Sequence, residues 1–284
     1  MSTRLQRGII IVPSALTLGN LLFGLWAMVS ASRNDFTAAA WLIVWAAIFD
    51  TVDGRVARYT QTGSRFGEEL DSLVDAISFG VAPAFIIYFL FLTGSQWGWF
   101  ASFFYVTGAV IRLARFNVEQ AGHAKAVFHG LPSPSAGILL ATYYPFSQTP
   151  LFHGYFAQWA WPTIMTAALF VIPLLMMSHV PYAVMPKFGF TNFRGFLVFA
   201  FLMLCIVLAL WVPDYFFFPM AVAYIGYGVL KALMLGFFER LPEQDPLLDV
   251  EEGDEAGAEL RDISYEGLGP RRHLRLPRVN RRRR

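Results

Sequence analysis

The sequence predicts an all-α polytopic membrane protein with about eight transmembrane helices, and three observations predict it. The 284 residues are 56% hydrophobic and only 15% charged, whereas soluble domains carry about 25% charged residues. Apolar stretches recur at lengths near the roughly 20 residues that one helix needs to span a bilayer. Lys and Arg alternate from turn to turn, as the positive-inside rule requires of a chain that crosses repeatedly. The single cysteine, Cys205, sits in an apolar run, which excludes an intrachain disulfide framework or a thiolate metal site.

Residues 1–12 carry Arg4 and Arg7 among apolar residues, the pattern of a short interfacial segment. No signal-peptide cleavage pattern follows, so the first apolar stretch is expected to be a retained span. That span runs from Pro13 to Ala31 and ends at the polar turn Arg33-Asn34-Asp35. The second runs from Phe36 to Tyr59 and the third from Gly67 to Leu92. Gly94–Gly98 is an uncharged turn. The fourth covers Trp99–Asn117 and is followed by a polar loop, Val118–Pro134. The fifth is short, Ser135–Phe146; the sixth covers Phe156–Met177, the seventh Gly195–Val212 and the eighth Tyr215–Phe238.

Charge placement tests this count. The even-numbered turns carry Arg55, Arg58, Arg65, Arg112, Arg115, Lys125, Lys187 and Arg194, and the odd-numbered turns carry Arg33 alone. A wrong count would scramble the alternation. Both termini are therefore expected to be cytoplasmic, in the cell membrane, with Trp97, Trp99, Trp159 and Trp161 as an aromatic belt at the outer interface. Residues 1–240 form the expected transmembrane domain. Residues 241–284 form a tail that is acidic over Glu243–Glu266 and then carries eight arginines in 271–284. That composition predicts disorder. The basic end suits anionic headgroups, although a solvated tail, or one pairing with its own acidic stretch, fits equally well.

Acid is concentrated in one place within the apolar part. Six of the 20 acidic residues lie in Asp50–Asp75, which reads DTVDGRVARYTQTGSRFGEELDSLVD. Residues three and four apart share a helix face, so Asp50, Asp53, Gly54 and Ala57 line one face, and Gly67, Asp71 and Asp75 line another. The hairpin can aim four carboxylates at one place. Asp50 lies fourteen residues past Phe36, about 21 Å along a helix, and Asp75 lies eight past Gly67, about 12 Å. Both depths meet below the cytoplasmic interface.

Four such carboxylates in low dielectric call for protonation or for bound cations. Carboxylates with phosphate oxygens are the usual ligands of Mg²⁺, and two ions about 4 Å apart suit phosphoryl transfer. Gly54 and Ala57 leave room for a ligand or a neighbouring helix. Arg58 offers a donor fork to phosphate. Thr17 and Asn20 are polar within the first span and either face this cavity or hydrogen-bond to a neighbouring helix. Arg112 and Arg115 are i, i+3 neighbours at the cytoplasmic end of the fourth helix and are expected either to hold an anion or to anchor that end.

The stretch resembles, at every fixed position, the signature of the CDP-alcohol phosphotransferase family, D-x2-D-G-x2-A-R-x8-G-x3-D-x3-D. The matching positions are Asp50, Asp53, Gly54, Ala57, Arg58, Gly67, Asp71 and Asp75. The resemblance implies two divalent cations, Mg²⁺ or Mn²⁺, one held by Asp50, Asp53 and Asp71 and the other by Asp50, Asp71 and Asp75. It implies that Gly54, Ala57 and Arg58 line the CDP moiety, that Ser64 contacts phosphate, and that Asp75 is the general base. Flanking stretches are similar to those of the membrane-embedded phosphatidylserine synthases within the family. These are Pro13–Gly24, Asp71–Ala84, RLARFN at Arg112–Asn117 and FHGLPSPSAG at Phe128–Gly137. They imply CDP-diacylglycerol and L-serine as substrates. On the residues themselves, Arg112 or Arg115 would hold the serine carboxylate or the diphosphate, or else anchor the helix end, and Asn117 with the Pro132/Pro134 loop would shape the serine pocket. Homodimers are implied by the family; nucleic acid is not an expected partner. Another acceptor, such as glycerol 3-phosphate or an inositol phosphate, keeps the same chemistry. An intramembrane prenyltransferase or a cation-coupled transporter would explain the acid differently.

Overall fold

The computed structural model describes the backbone of residues 3–60, 65–122, 130–178 and 193–236, and the side chains of 15–56, 66–118, 130–178 and most of 195–234. All regular structure among these residues is helical. The tail from 237 onward, Ser64, His129 and His179, and the side chains of Ala57 and Arg58, lie outside the described residues.

Helix α1 (Thr3–Ser32) and α2 (Phe36–Thr60) are joined by the predicted polar turn. Asn34 takes a left-handed φ of 63°, the conformation that commonly ends a helix. Asp35 then caps α2, its carboxylate accepting from the Ala38 amide at 3.0 Å, which satisfies one of the orphan donors of the new helix. Residues 66–92 run as a third long apolar helix. It comprises α3 (Arg65–Asp75), a π-helical segment (Ala76–Val81), α4 (Ala82–Ile87) and a second π-helical segment (Tyr88–Leu92). The chain continues through α5 (Gly98–Gly122), α6 (Ser133–Ser147), α7 (Pro150–Tyr155), α8 (Trp161–Met177), α9 (Phe193–Trp211) and α10 (Pro213–Gly236).

Four of these helices are long and apolar enough to cross a membrane, over Ala15–Ser32, Phe36–Val56, Phe66–Leu92 and Pro213–Met234; Trp161–Met177 and Gly195–Trp211 are shorter apolar helices. The protein is a multi-pass membrane protein. Several boundaries differ from expectation, and α6 opens at Ser133, so Pro134 lies in a helix where a loop was expected. Helix α1 begins at Thr3, so its first turns continue the span where a separate interfacial segment was expected. Helix α5 extends to Gly122, into the stretch read as a loop. The expected sixth helix begins five residues late, because Pro150–Tyr155 forms its own short helix capped by Thr149. The Trp161 indole donates to the Phe156 carbonyl at 2.7 Å, closing the intervening turn.

Helix α1 shows how the sequence sorts its faces. Leu18, Leu22, Leu25, Trp26 and Val29 are exposed, whereas Thr17, Asn20, Gly24, Ala27 and Ala31 are buried. In a bilayer the exposed set faces lipid, which is as apolar as leucine. The buried face packs on α2 through Ala27, Ala31, Ala39, Ala40, Ala46 and Ala47, small side chains that let helix backbones approach. A second core, rich in aromatics, joins α5, α6, α8 and α10 around Tyr105, Tyr143, Phe146 and Phe218. The 66–92 helix is central: α1, α2, α5 and α6 all pack against it.

Candidate active site

The acidic faces of α2 and α3 converge. One carboxylate oxygen from each of Asp50, Asp53 and Asp71 lies within 4.8 Å of the others. Asp75 joins through Asp50, whose carboxyl is in hydrogen-bonding reach. Asp53 and Asp75 are buried, at 3% and 8% exposure, and Asp50 and Asp71 are half-buried. The cluster reflects local geometry: the three- and four-residue spacings stack the carboxylates of each helix on adjoining turns.

Helix α1 closes one side. Thr17 hydrogen-bonds to Asp53, and the Asn20 side-chain amide donates to Asp75 Oδ1 at 3.2 Å. Of the two alternatives left open for Thr17 and Asn20, the structure shows the bond to a neighbouring helix, from Thr17 to Asp53 of α2 and from Asn20 to Asp75 of α3. Three buried acceptor atoms among the described residues have no hydrogen-bond partner: Asn20 Oδ1, Asp53 Oδ2 and Asp71 Oδ1. Buried polar atoms are nearly always paired, and here the exceptions gather in one place. Hard divalent cations take oxygen ligands. Convergent carboxylates with unused lone pairs are such a donor set, so Asp50, Asp53 and Asp71 could hold one.

The two glycines of the signature are both half-buried. A Cβ built at Gly54 would meet nothing within 4 Å, so this glycine opens space beside the acids and is not a helix-packing contact. Gly67 lies in the first turn of α3, four residues before Asp71.

The paired arginines diverge. Arg112 Nη1 donates to the buried Ser133 hydroxyl at 2.7 Å, its guanidinium lies 5.7 Å from the Phe116 ring centroid, and its charge acts on Asp50. Arg115 Nη1 donates to the Met177 carbonyl at 3.3 Å, at the C-terminal end of α8. Arg112 therefore borders the acid cluster, and Arg115 ties α5 to α8. Asn117 links helices too: it accepts from Ser72 at 3.0 Å and donates to Glu69 at 3.4 Å.

Ser133, Ser72 and Glu69 are neighbours of this site that the sequence reading passed over. Ser72 and Glu69 flank Asp71 on α3 and carried that signal; Ser133 meets Arg112 only through tertiary contact.

The family model described as CDP-alcohol phosphatidyltransferase matches residues 10–186. A Helicobacter pylori (strain 26695) protein named CDP-diacylglycerol–serine O-phosphatidyltransferase is 33% identical over 224 residues, covering 78% of this chain and 91% of that protein. A Methanocaldococcus jannaschii protein of the same name is 32% identical over 225 residues, covering 79% and 96%. One from Mycobacterium leprae is 41% identical over 133 residues, which is 45% of this chain and spans 44% of that relative. With the acid cluster assembled on the matched segment and the match extending along most of two relatives, the chain belongs to the CDP-alcohol phosphatidyltransferase family.

Proposed function

We propose that this protein transfers the phosphatidyl group of CDP-diacylglycerol to the hydroxyl of L-serine, giving phosphatidylserine and CMP. The observation that carries the reading is the convergence of Asp50, Asp53 and Asp71 carboxylates within 4.8 Å, on the spacing that the family signature requires. The names of the relatives support serine as acceptor.

In this reading Asp50, Asp53 and Asp71 hold one divalent cation, and Asp50, Asp71 and Asp75 hold a second, Mg²⁺ or Mn²⁺. Bound there, such cations would supply positive charge to offset the diphosphate and the departing oxygen. Gly54, Ala57, Arg58 and Gly67 line the CDP moiety, and Ser64 contacts phosphate. The open space at Gly54 supports this. Arg112, held by Ser133 at 2.7 Å, reads the serine carboxylate or the diphosphate, and Arg115 anchors the same end of α5 to α8. Asp75 takes the proton of the serine hydroxyl. As that O–H bond breaks, the oxygen forms a bond to the phosphorus that bears diacylglycerol. The bond from this phosphorus to the bridging oxygen breaks, and CMP leaves with that oxygen. A hydroxyl is a poor nucleophile until a positioned base accepts its proton.

The site faces the cytoplasm of the cell membrane in this reading, where serine and the nucleotide are dissolved, and the enzyme is a homodimer. Residues 1–240 do the chemistry and 241–284 are an appendage. Purified protein, supplied with Mg²⁺ and CDP-diacylglycerol, is expected to release CMP with L-serine and not with glycerol 3-phosphate or an inositol phosphate. Release with one of the latter alone overturns the serine assignment. Ion flux in sealed vesicles without CMP formation overturns the transferase reading.

A further inference from the structure

We infer that Asn20, outside the signature hairpin, is a positioning residue that sets the carboxylate of Asp75 for proton transfer. The inference rests on the reading of Asp75 as the proton acceptor. Asn20 is fully buried, and its Nδ2 donates to Asp75 Oδ1 at 3.2 Å. The backbone carbonyl of the same residue accepts from the Ser78 hydroxyl at 3.2 Å, and Ser78 lies three residues past Asp75 in the first π-helical segment. One turn further along α1, Gly24 lies against Ser78, where an added Cβ would stand 2.9 Å from the Ser78 Cα. Helix α1 thus grips the 66–92 helix at the Asp75 side chain and again at the turn after it.

The chemistry of the amide defines its role. Only the NH₂ can face a carboxylate, because the reversed amide would set oxygen against oxygen. The bond therefore fixes the orientation of the Asp75 carboxylate through one of its oxygens. The same bond leaves Asn20 Oδ1 buried and unpartnered. Packing alone has no use for the amide: leucine has the same branched arrangement of four side-chain heavy atoms and no acceptor to bury. The arrangement is thus costly to the fold and directed at a single functional carboxylate.

The test compares Asn20→Leu, Asn20→Gln and Asp75→Asn in the full chain, purified with Mg²⁺. Asn20→Leu is expected to lower kcat about 10- to 100-fold, the range for a misplaced catalytic group. KM for CDP-diacylglycerol and its directly measured Kd should stay within about 2-fold of the parent. Asn20→Gln keeps the amide but moves it by a methylene, and is expected to lower kcat with binding retained; it serves if Asn20→Leu does not fold. Unchanged kcat in the folded variants overturns the inference, and so does loss of CDP-diacylglycerol binding in step with kcat, the mark of a structural or metal-site role. Full turnover by Asp75→Asn instead overturns the general-base reading itself. An inactive Asp75→Asn beside fully active Asn20 variants overturns only the role of Asn20.

Discussion

Gly54 and Gly24 both lie in helices beside the acid cluster, and they answer opposite demands. Around Gly54 a side chain would find open space; at Gly24 it would strike the backbone of Ser78 at 2.9 Å. Gly54→Val should therefore fold as well as the parent, since valine is no worse than glycine in a helix. It should raise KM for CDP-diacylglycerol about 10-fold, the cost of overfilling a binding space by about 1–3 kcal/mol. Gly24→Ala should do the reverse, lowering the thermal midpoint through a similar overpacking cost while CDP-diacylglycerol affinity per folded molecule holds; thermal denaturation beside binding measurements separates the two. Among the acids, Asp75→Asn should abolish turnover with CDP-diacylglycerol binding retained. Asp50→Asn should raise the Mg²⁺ concentration for half-maximal activity by more than about 10-fold, because even groups outside the ligand set cost that much. A metal titration of activity checks it.

At the scale of the element, the helix over 66–92 carries the unusual geometry. Its first π-helical segment begins immediately after Asp75. A π turn widens the helix and disturbs the i→i−4 ladder, so its carbonyls look elsewhere. The Tyr105 hydroxyl, on fully buried Tyr105 of α5, donates to the Phe79 carbonyl at 2.9 Å. On α6, Gly137 lets the helices approach, with only 3.2 Å between a built Cβ and the Phe79 Cα. Tyr105→Phe leaves that carbonyl without this partner and should destabilise the protein by about 1–3 kcal/mol, read as a lowered midpoint in detergent or nanodiscs. The apolar run over this region predicted a helix, but it carried no sign of the π register, against which α1, α5 and α6 pack. Likewise the spacing of Arg112 and Arg115 put both at one helix end, and only packing separated them, Arg112 to Ser133 and Arg115 to Met177.

For the whole molecule, the bilayer explains the distribution of residues. The exposed stripe of α1, with Leu18, Leu22 and Trp26, is apolar as a bilayer-embedded surface requires, while its opposite face supplies Thr17 and Asn20 to the acids. Removing residues 245–284 should leave kcat and KM unchanged in the serine-dependent CMP assay, because the residues that form the described site all precede α6 or lie at its start. A truncated protein without activity would assign the tail a part in the chemistry.

Sequence by itself determined the helical class, the apolar spans and the sharing of one helix face by Asp50 and Asp53 and of another by Asp71 and Asp75, because those follow from hydropathy and the 3.6-residue period. It marked Thr17 and Asn20 as polar but left their direction open. Tertiary structure decided that they turn to Asp53 and Asp75, that Gly54 faces open space, that Pro150–Tyr155 forms its own helix, and that Arg112 meets Ser133. Periodicity says which residues of one helix share a face. Which face meets which neighbour is set by how the small residues let the helices approach, and that is a property of the packed bundle.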